Sequence, residues 1–526
     1  MLRFFVLGVL FFLAVVTVLA GVIGGPGWWL LAVAVVALLV LAAYDLLQKK
    51  HSILRNYPVL GHMRFLMEGI RPELQQYFIE RNFDGRPFDR DTRSAIYQRA
   101  KGAKEEQPFG TERDLYAVGY EYLIHSTKPV DVMPHPPRVR IGGPDCTAPY
   151  DMALMNVSAM SFGALSANAI EALNKGAAMG GFAHDTGEGG LSKYHRNGGD
   201  LVWEIGSGYF GCRTDQGEFD PAKFADTASS EQVRMTSLKL SQGAKPGIGG
   251  VLPGAKVTQE IAAARDVPQG EKCVSPSYHK AFSTPRELVH FIARMRELSG
   301  GKPAGFKLCL GSRADLLAIC KAMVAEGVTP DFIIVDGAEG GTGAAPLEYE
   351  DHVGMPLTEG LMTVHNALVG VGLRDRVKVG ASGKVTSGVD IVKRLIQGAD
   401  YTNSARSMMM AVGCIQAQTC HTNTCPVGVT TQDPKRMRAL DVPSKSERVH
   451  SYQQAAVAQA MQVVASMGLN SFGDLAPHML RRRVSDGAIQ SYAEIFEHLG
   501  PGELLDQTPE AWARDWALAD PDRFTP

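Results

Sequence analysis

The rhythm of apolar and polar positions changes three times along the chain. Residues 4–23 (FFVLGVLFFLAVVTVLAGVI) and 28–46 (WWLLAVAVVALLVLAAYDL) are almost wholly apolar and each is about long enough to cross a bilayer. Gly24-Gly-Pro-Gly27 turns the chain between them. A secretory signal has one shorter apolar region and a small-residue cleavage site, so two such stretches predict a retained transmembrane hairpin. Arg3 before it, and Lys49, Lys50, His51 and Arg55 after it, predict that both ends face the cytoplasm, with Trp28 and Trp29 at the far interface. Residues 48–145 are polar, Arg-rich and aromatic, with short helical patterns at 71–81 and 91–101. They read as a linker and cap.

From about residue 150 short apolar runs alternate with Gly-rich or polar stretches and helix-length segments. The runs lie at 151–160, 180–187, 201–208, 235–242, 305–311, 331–337, 376–383 and 399–405. Helical periodicity falls at 166–179, 284–298, 314–326, 357–371 and 387–397. Eight strands alternating with helices over about 250 residues predict an α/β chain built on a (β/α)8 TIM barrel. A doubly wound sheet would open with GxGxxG after its first strand, and no such motif is present. From Ser446 the pattern is helical and amphipathic. The expected organisation is a hairpin at 1–47, a linker and cap at 48–145, a barrel at 146–440 and a helical C-terminal extension at 441–526.

A net charge of -2 and a pI near 6.7 give no footprint for nucleic acid. The eight cysteines form no regular disulfide framework and fit a reducing compartment. Three of them, Cys414, Cys420 and Cys425, are spaced C-x5-C-x4-C and followed by Pro426. Four thiolates in CxxC pairs would suit zinc, whereas three close thiols suit a three-iron cluster.

In a barrel the chemistry collects at the C-terminal strand ends. Read in order, those ends hold Ser158 and Ser161, then Asp185-Thr-Gly-Glu188, then Lys239 and Lys245, then Lys307. They continue with Asp336-Gly-Ala-Glu-Gly340-Gly-Thr-Gly343, Ser382-Gly383, and Asn403-Ser404. Glycine and serine at strands seven and eight suit a phosphate held by backbone N–H groups, as in a bound FMN. Any one of these glycines alone would only shape a tight turn.

With these residues in view, positions 150–440 resemble the synthase domain of glutamate synthases. The resemblance rests on Met160-Ser-Phe-Gly-Ala-Leu-Ser166, Thr186-Gly-Glu-Gly-Gly190, Ser241-Gln-Gly-Ala-Lys245-Pro-Gly247, Gly340-Gly-Thr-Gly343, Arg374-Asp-Arg376 and the cysteine motif ending Cys425-Pro-Val-Gly-Val429. Ser52-Ile-Leu-Arg-Asn-Tyr-Pro58 is similar to stand-alone, membrane-attached members. The resemblance implies an FMN held by Ser158, Met160, Ser161, Gly341, Gly343, Ser382, Gly383, Asn403 and Ser404, with Lys307 beside the flavin ring. It implies a 3Fe-4S cluster on Cys414, Cys420 and Cys425. Glu188 and Lys245 are the implied catalytic residues, and Lys239, Lys245 and Arg265 the cations for a dicarboxylate substrate.

Two departures stand out. Where the family usually reads Gly-Glu-Gly-Gly-Gln-Leu-Pro, this chain reads Gly247-Ile248-Gly-Gly-Val251-Leu-Pro253, which suits a more apolar or smaller oxo acid than 2-oxoglutarate. The family's glutamine-hydrolysing domain begins at a nucleophilic cysteine, whereas the first cysteine here is Cys146, so ammonia, another amine or a partner subunit is the expected nitrogen source. The reading is reductive amination of a 2-oxo acid, at a membrane, with the catalytic domain cytoplasmic. Without a nicotinamide fingerprint, a ferredoxin or reductase subunit is the expected electron donor, and a homo-oligomer is compatible. Two other readings stay open. One is an amine or amino-acid dehydrogenase feeding membrane carriers, and the other a non-catalytic electron-transfer subunit of a larger complex.

Overall fold

A computed structural model describes residues 2–103 and 106–524, with side chains from residue 4 onward. Arg3, the expected basic flank of the first apolar stretch, therefore lies outside the described side chains. The chain divides into two compact units at Arg90/Asp91. In the first, the apolar stretches form helices Leu2–Gly24 and Gly27–Leu47, packed side by side. Both are long and apolar enough to cross a membrane by length and composition. Asp45, at the end of the second, is buried and accepts hydrogen bonds from the Val59 backbone N–H (2.8 Å) and His62 Nε2 (2.9 Å to Oδ1). A helix at His62–Leu74 follows and runs into a π-turn at Gln75–Ile79.

The second unit is a closed barrel of eight parallel strands: β1 Met155–Val157, β2 His184–Asp185, β3 Leu201–Ile205, β4 Val233–Lys239, β5 Ala304–Leu308, β6 Phe332–Asp336, β7 Lys378–Ser382 and β8 Tyr401–Ser404. Each strand pairs with its sequence neighbour, and β8 closes onto β1 through Thr402 opposite Met155 and Asn403 opposite Asn156. The strands read as apolar runs because both faces are covered, one by the helices and one by the barrel filling. Val202, Met235, Phe332, Ile334 and Tyr401 fill the interior. An antiparallel ribbon, Arg138–Ile141 with Tyr150–Ala153, adds Ile141 and Met152 to the same interior cluster.

The surrounding helices start where side chains cap them. Ser166 Oγ accepts from the Ala169 N–H, and Thr284 with Glu287 and Ser387 with Asp390 form reciprocal capping boxes. The long helix Val442–Ser466 packs on Ala167–Gly180 and Gly388–Ile396 through Val449, Tyr452, Ala456, Val457, Ala460, Met461 and Val464. Each large apolar side chain so buried contributes roughly 1.5–3 kcal/mol. The extension is not helical throughout. Leu480–Ser485 and Ala488–Ser491 form a hairpin that pairs with Glu121–Leu123, because Ser485-Asp-Gly-Ala488 supplies a tight turn between two short β-capable runs.

Candidate functional site

The ionisable residues gather at the C-terminal ends of the strands. Lys239, the last residue of β4, donates to Glu188 Oε1 at 2.7 Å, with only 8% and 15% of the two side chains exposed. Burial alone would raise the Glu188 carboxyl, but Lys239, and further off Arg265 and Lys307, hold it below its ordinary value. Glu188 lies in a slot with no room to spare. A Cβ on Gly206 would stand 2.4 Å from its Oε2, and one on Gly250 would stand 2.3 Å from its Oε1. Gly250 belongs to the 247–253 segment that departs from the family pattern. That segment is fixed by a short antiparallel pairing of Val251–Leu252 with Cys273–Val274.

Lys307 on β5 is buried and ion-paired with Glu204 of β3. Its burial favours the neutral form, yet Glu204, Asp185 and Asp336 together keep the ammonium above its ordinary value. Asp185 goes the other way. Burial and the neighbouring Glu204 push its carboxyl well above the usual range. Asp336, at the end of β6, accepts from the Gly243 N–H at 2.8 Å and so ties the loop after β4 to β6.

Lys245 stands in that loop, 3% exposed. Burial first, and repulsion from Lys239 second, lower its pKa. Among the described residues its ammonium has no hydrogen-bond or ion-pair partner. Arg265 is placed differently from Lys245. Its Nη2 donates to the Phe162 carbonyl at 3.0 Å and reaches Ser161 Oγ at 3.4 Å, while the guanidinium lies over the Phe210 ring.

The residues expected to hold FMN lie at β1, β7, β8 and the loop after β6. Ser158 and Ser382 hydroxyls are 3.1 Å apart, and the Ser158 N–H donates to the Ser404 carbonyl. Ser404 Oγ hydrogen bonds to Ser407 and to the Val385 carbonyl. Met160 is buried beside this group, and Ser161 closes against Gly187 and Gly189. Gly383 holds φ +146°, a conformation open mainly to glycine, as the chain leaves β7. Asn403 Oδ1 is buried without a partner, which leaves a polar acceptor aimed into the barrel mouth for a ligand to satisfy. These features fit a flavin phosphate and ring. Gly341 lies against the Arg406 side chain, and a Cβ on Gly343 would lie 3.7 Å from Cys420 Cβ, so the loop after β6 borders the cysteine segment.

That segment is irregular, with Gln416, Gln418 and Asn423 at positive φ. Cys425 is buried, yet the neighbouring Thr430 hydroxyl and the backbone N–H groups of Thr430, Val427 and Val429 hold its thiol below the ordinary value. Burial, with Cys420 and Cys425 nearby, pushes Cys414 up to about 12. Thiols and N–H donors are the chemistry of an iron–sulfur site. Among the described residues, however, no three His, Cys, Asp or Glu side chains are gathered closely enough to hold a metal ion. The donor types fit a cluster and the ligand geometry is not assembled.

Several working residues escaped the sequence reading. Glu204 carried a signal, a lone charge inside the apolar run LVWEI, where an unpaired carboxylate would be costly. His279, whose Nε2 bonds the Lys239 carbonyl at 2.8 Å, carried none. Neither did Lys256, a buried lysine whose ammonium donates to the Cys420 carbonyl (2.8 Å) and the Thr430 carbonyl (2.7 Å).

A closed parallel barrel with acids and lysines collected at one end defines an enzyme of the TIM-barrel class. Residues 147–470 match the family described as the conserved region in glutamate synthase. The chain is 37% identical over 516 residues to the glutamate synthase large subunit-like protein YerD of Bacillus subtilis, covering 90% of this chain and 97% of that one. It is 33% identical over 320 residues to the archaeal-type glutamate synthase [NADPH] of Thermotoga neapolitana, 60% of each chain. It also matches the glutamate synthase [NADPH] large chain of Bacillus subtilis at 33% identity, over 60% of this chain but only 20% of that protein. The chain belongs to the glutamate synthase family, and it is an oxidoreductase of the glutamate synthase type. Likeness to solved structures is remote: mandelate oxidase with (S)-2-phenylpropionate aligns with 76% of this chain at TM-score 0.40 and 13% identity.

Proposed function

We propose that this chain reductively aminates 2-oxoglutarate or a related 2-oxo acid with ammonia, using FMN and a 3Fe-4S cluster, on the cytoplasmic side of a membrane that its two apolar helices span. The observation that carries the reading is Lys245, a buried ammonium that makes no ion pair or hydrogen bond among the described residues and feels Glu188 only from a distance, beside the Glu188–Lys239 pair. A buried cation in that state calls for an anion, and the carboxylate of a 2-oxo acid supplies one.

FMN supplies hydride chemistry when bound. Ser158, Ser382, Asn403 and Ser404 would hold it, and Gly383 would let the backbone approach its phosphate. Lys245 fixes a substrate carboxylate. Glu188, held ionised, fixes Lys239 Nζ by their hydrogen bond, and Lys239 is the proposed proton donor to the reacting group. Ile248 and Val251 replace polar positions of the family pattern and favour an oxo acid with a less polar side chain. Cys414, Cys420 and Cys425 are the proposed cluster ligands, and a ferredoxin or reductase subunit the proposed electron source.

The test uses the full chain in detergent, reduced without oxygen, with flavin absorbance followed on adding 2-oxoglutarate with and without ammonia. Reoxidation that needs both, with glutamate formed in step, is the expected result. Lys245→Met should keep the flavin and lose the response. A flavin that stays reduced with 2-oxoglutarate and with smaller oxo acids would overturn the reading. The apolar helices favour one second reading, amino-acid oxidation feeding a membrane quinone. Quinone reduction by membranes carrying the protein, dependent on an added amino acid, distinguishes it.

A further inference from the structure

The first unit carries an apolar surface that the catalytic reading leaves unused. In helix His62–Leu74 no residue is buried. At 100° per residue, Met63, Leu66, Met67, Ile70 and Leu74 fall within an arc of about 100° on one side. Each is at least 39% exposed. Arg64, Glu68 and Arg71 occupy the neighbouring side, and Arg64 pairs with Glu68 at 2.9 Å. Within the π-turn, Tyr77 and Phe78 are exposed at 61% and 81%. A continuous apolar stripe of this size on a water-facing helix asks for a cover.

Two features of the same unit say what covers it. Asp45 ends the second apolar helix and holds the start of this one, through the Val59 N–H and His62 Nε2. The stripe therefore begins at the level where the hairpin leaves the apolar layer. Residues 48–81 also carry six Lys or Arg against three Glu. Basic charge beside an apolar stripe suits anionic lipid headgroups rather than a second copy of the same basic surface.

We propose that residues 62–79 form an interfacial helix lying in the headgroup region of an anionic bilayer, its Met63–Leu74 stripe turned into the acyl boundary. This rests on the reading of the hairpin as membrane-spanning. The helix would make the first unit a two-part anchor, with spans for retention and a surface helix that fixes the orientation of the segment leading away from them.

The experiment places the photo-crosslinker p-benzoylphenylalanine singly at Leu38, Met67, Ile70 and Glu68 of the full chain. Each variant is reconstituted in vesicles of phosphatidylcholine with phosphatidylglycerol. Lipid adducts at Leu38, Met67 and Ile70, severalfold above Glu68, are expected. Lipid at Leu38 with protein adducts at Met67 and Ile70 would overturn the proposal in favour of a protein partner or a second copy, while the hairpin reading stood. Lipid at Leu38 with no adduct at either stripe position would overturn it as well. Absence of lipid adducts at Leu38 would remove the hairpin reading and the proposal with it.

Discussion

Replacing Lys239 by methionine isolates the central ion pair. At 2.7 Å the attraction between unit charges is about 6 kcal/mol at an effective dielectric of about 20. Much of that is offset by the desolvation both groups suffer in forming the pair. What the substitution exposes is the cost of leaving Glu188 charged and alone, roughly 3–5 kcal/mol for a buried pair broken on one side. The pH dependence gives a sharper reading than the size. In the native chain Glu188 sits below its ordinary value, so its contribution is present above the ordinary carboxylate pKa and lost as pH falls through the lowered one. Without Lys239 the burial effect prevails, the carboxyl moves above its ordinary value, and stability is instead lost as pH rises. Lys239→Met should therefore be far more destabilised at pH 8 than at pH 5, measured by urea unfolding with tryptophan fluorescence. Glu188→Gln in the same background should recover most of the loss at pH 8. Equal destabilisation at both pH values, with simple additivity in the double variant, would refute the coupling.

Three further outcomes follow from other parts of the barrel. His184 is fully buried and its pKa is lowered to about 3 by desolvation. Its stabilising effect is complete above the ordinary histidine value and fades as pH falls from there toward 3, so His184→Asn should flatten the acid limb of the stability profile by about one proton, or ~1.4 kcal/mol per pH unit. Cys425→Ser should remove iron and acid-labile sulfide from the purified protein while FMN remains, read by metal analysis and flavin absorbance. Gly383→Ala forces a side chain into φ +146° and within 3.2 Å of Leu357, and should weaken FMN retention by roughly 1–3 kcal/mol of backbone strain, read as a rise of about five- to 150-fold in the flavin dissociation constant.

How far the chain could be read in advance depended on where each signal lies. The barrel was legible because parallel strands buried on both faces are apolar runs bounded by glycine, and each of the eight runs overlaps a barrel strand, although β4 and β5 begin one or two residues before their runs. The run at 151–160 was not legible in detail. Met152-Ala-Leu-Met155 is an unbroken apolar stretch, so nothing marks Leu154, where the chain leaves the ribbon strand Tyr150–Ala153 and enters β1. The strands within the C-terminal extension were missed because their pairing partner, Glu121–Leu123, lies more than 350 residues away. In the site, the types of residue at the strand ends were readable, but their partners were not. Lys256 shows this most clearly, since it is held by carbonyl groups that every residue possesses.

Partner choice is also what separates the cations of the barrel mouth. Sequence alone made Lys239, Lys245 and Arg265 equal candidates for an anionic substrate. The structure engages Lys239 with Glu188, Lys307 with Glu204, and Arg265 with the Phe162 carbonyl and the Phe210 ring. Lys245 alone of this group is buried without such an engagement among the described residues, and its lowered pKa reflects that state. An arriving carboxylate would raise it, so substrate binding should take up a proton at alkaline pH, where free Lys245 is partly neutral. Lys239, by contrast, already holds its counter-ion in Glu188. Proton uptake on binding an oxo acid, lost in Lys245→Met and retained in Arg265→Gln, would identify the substrate cation without any turnover being measured.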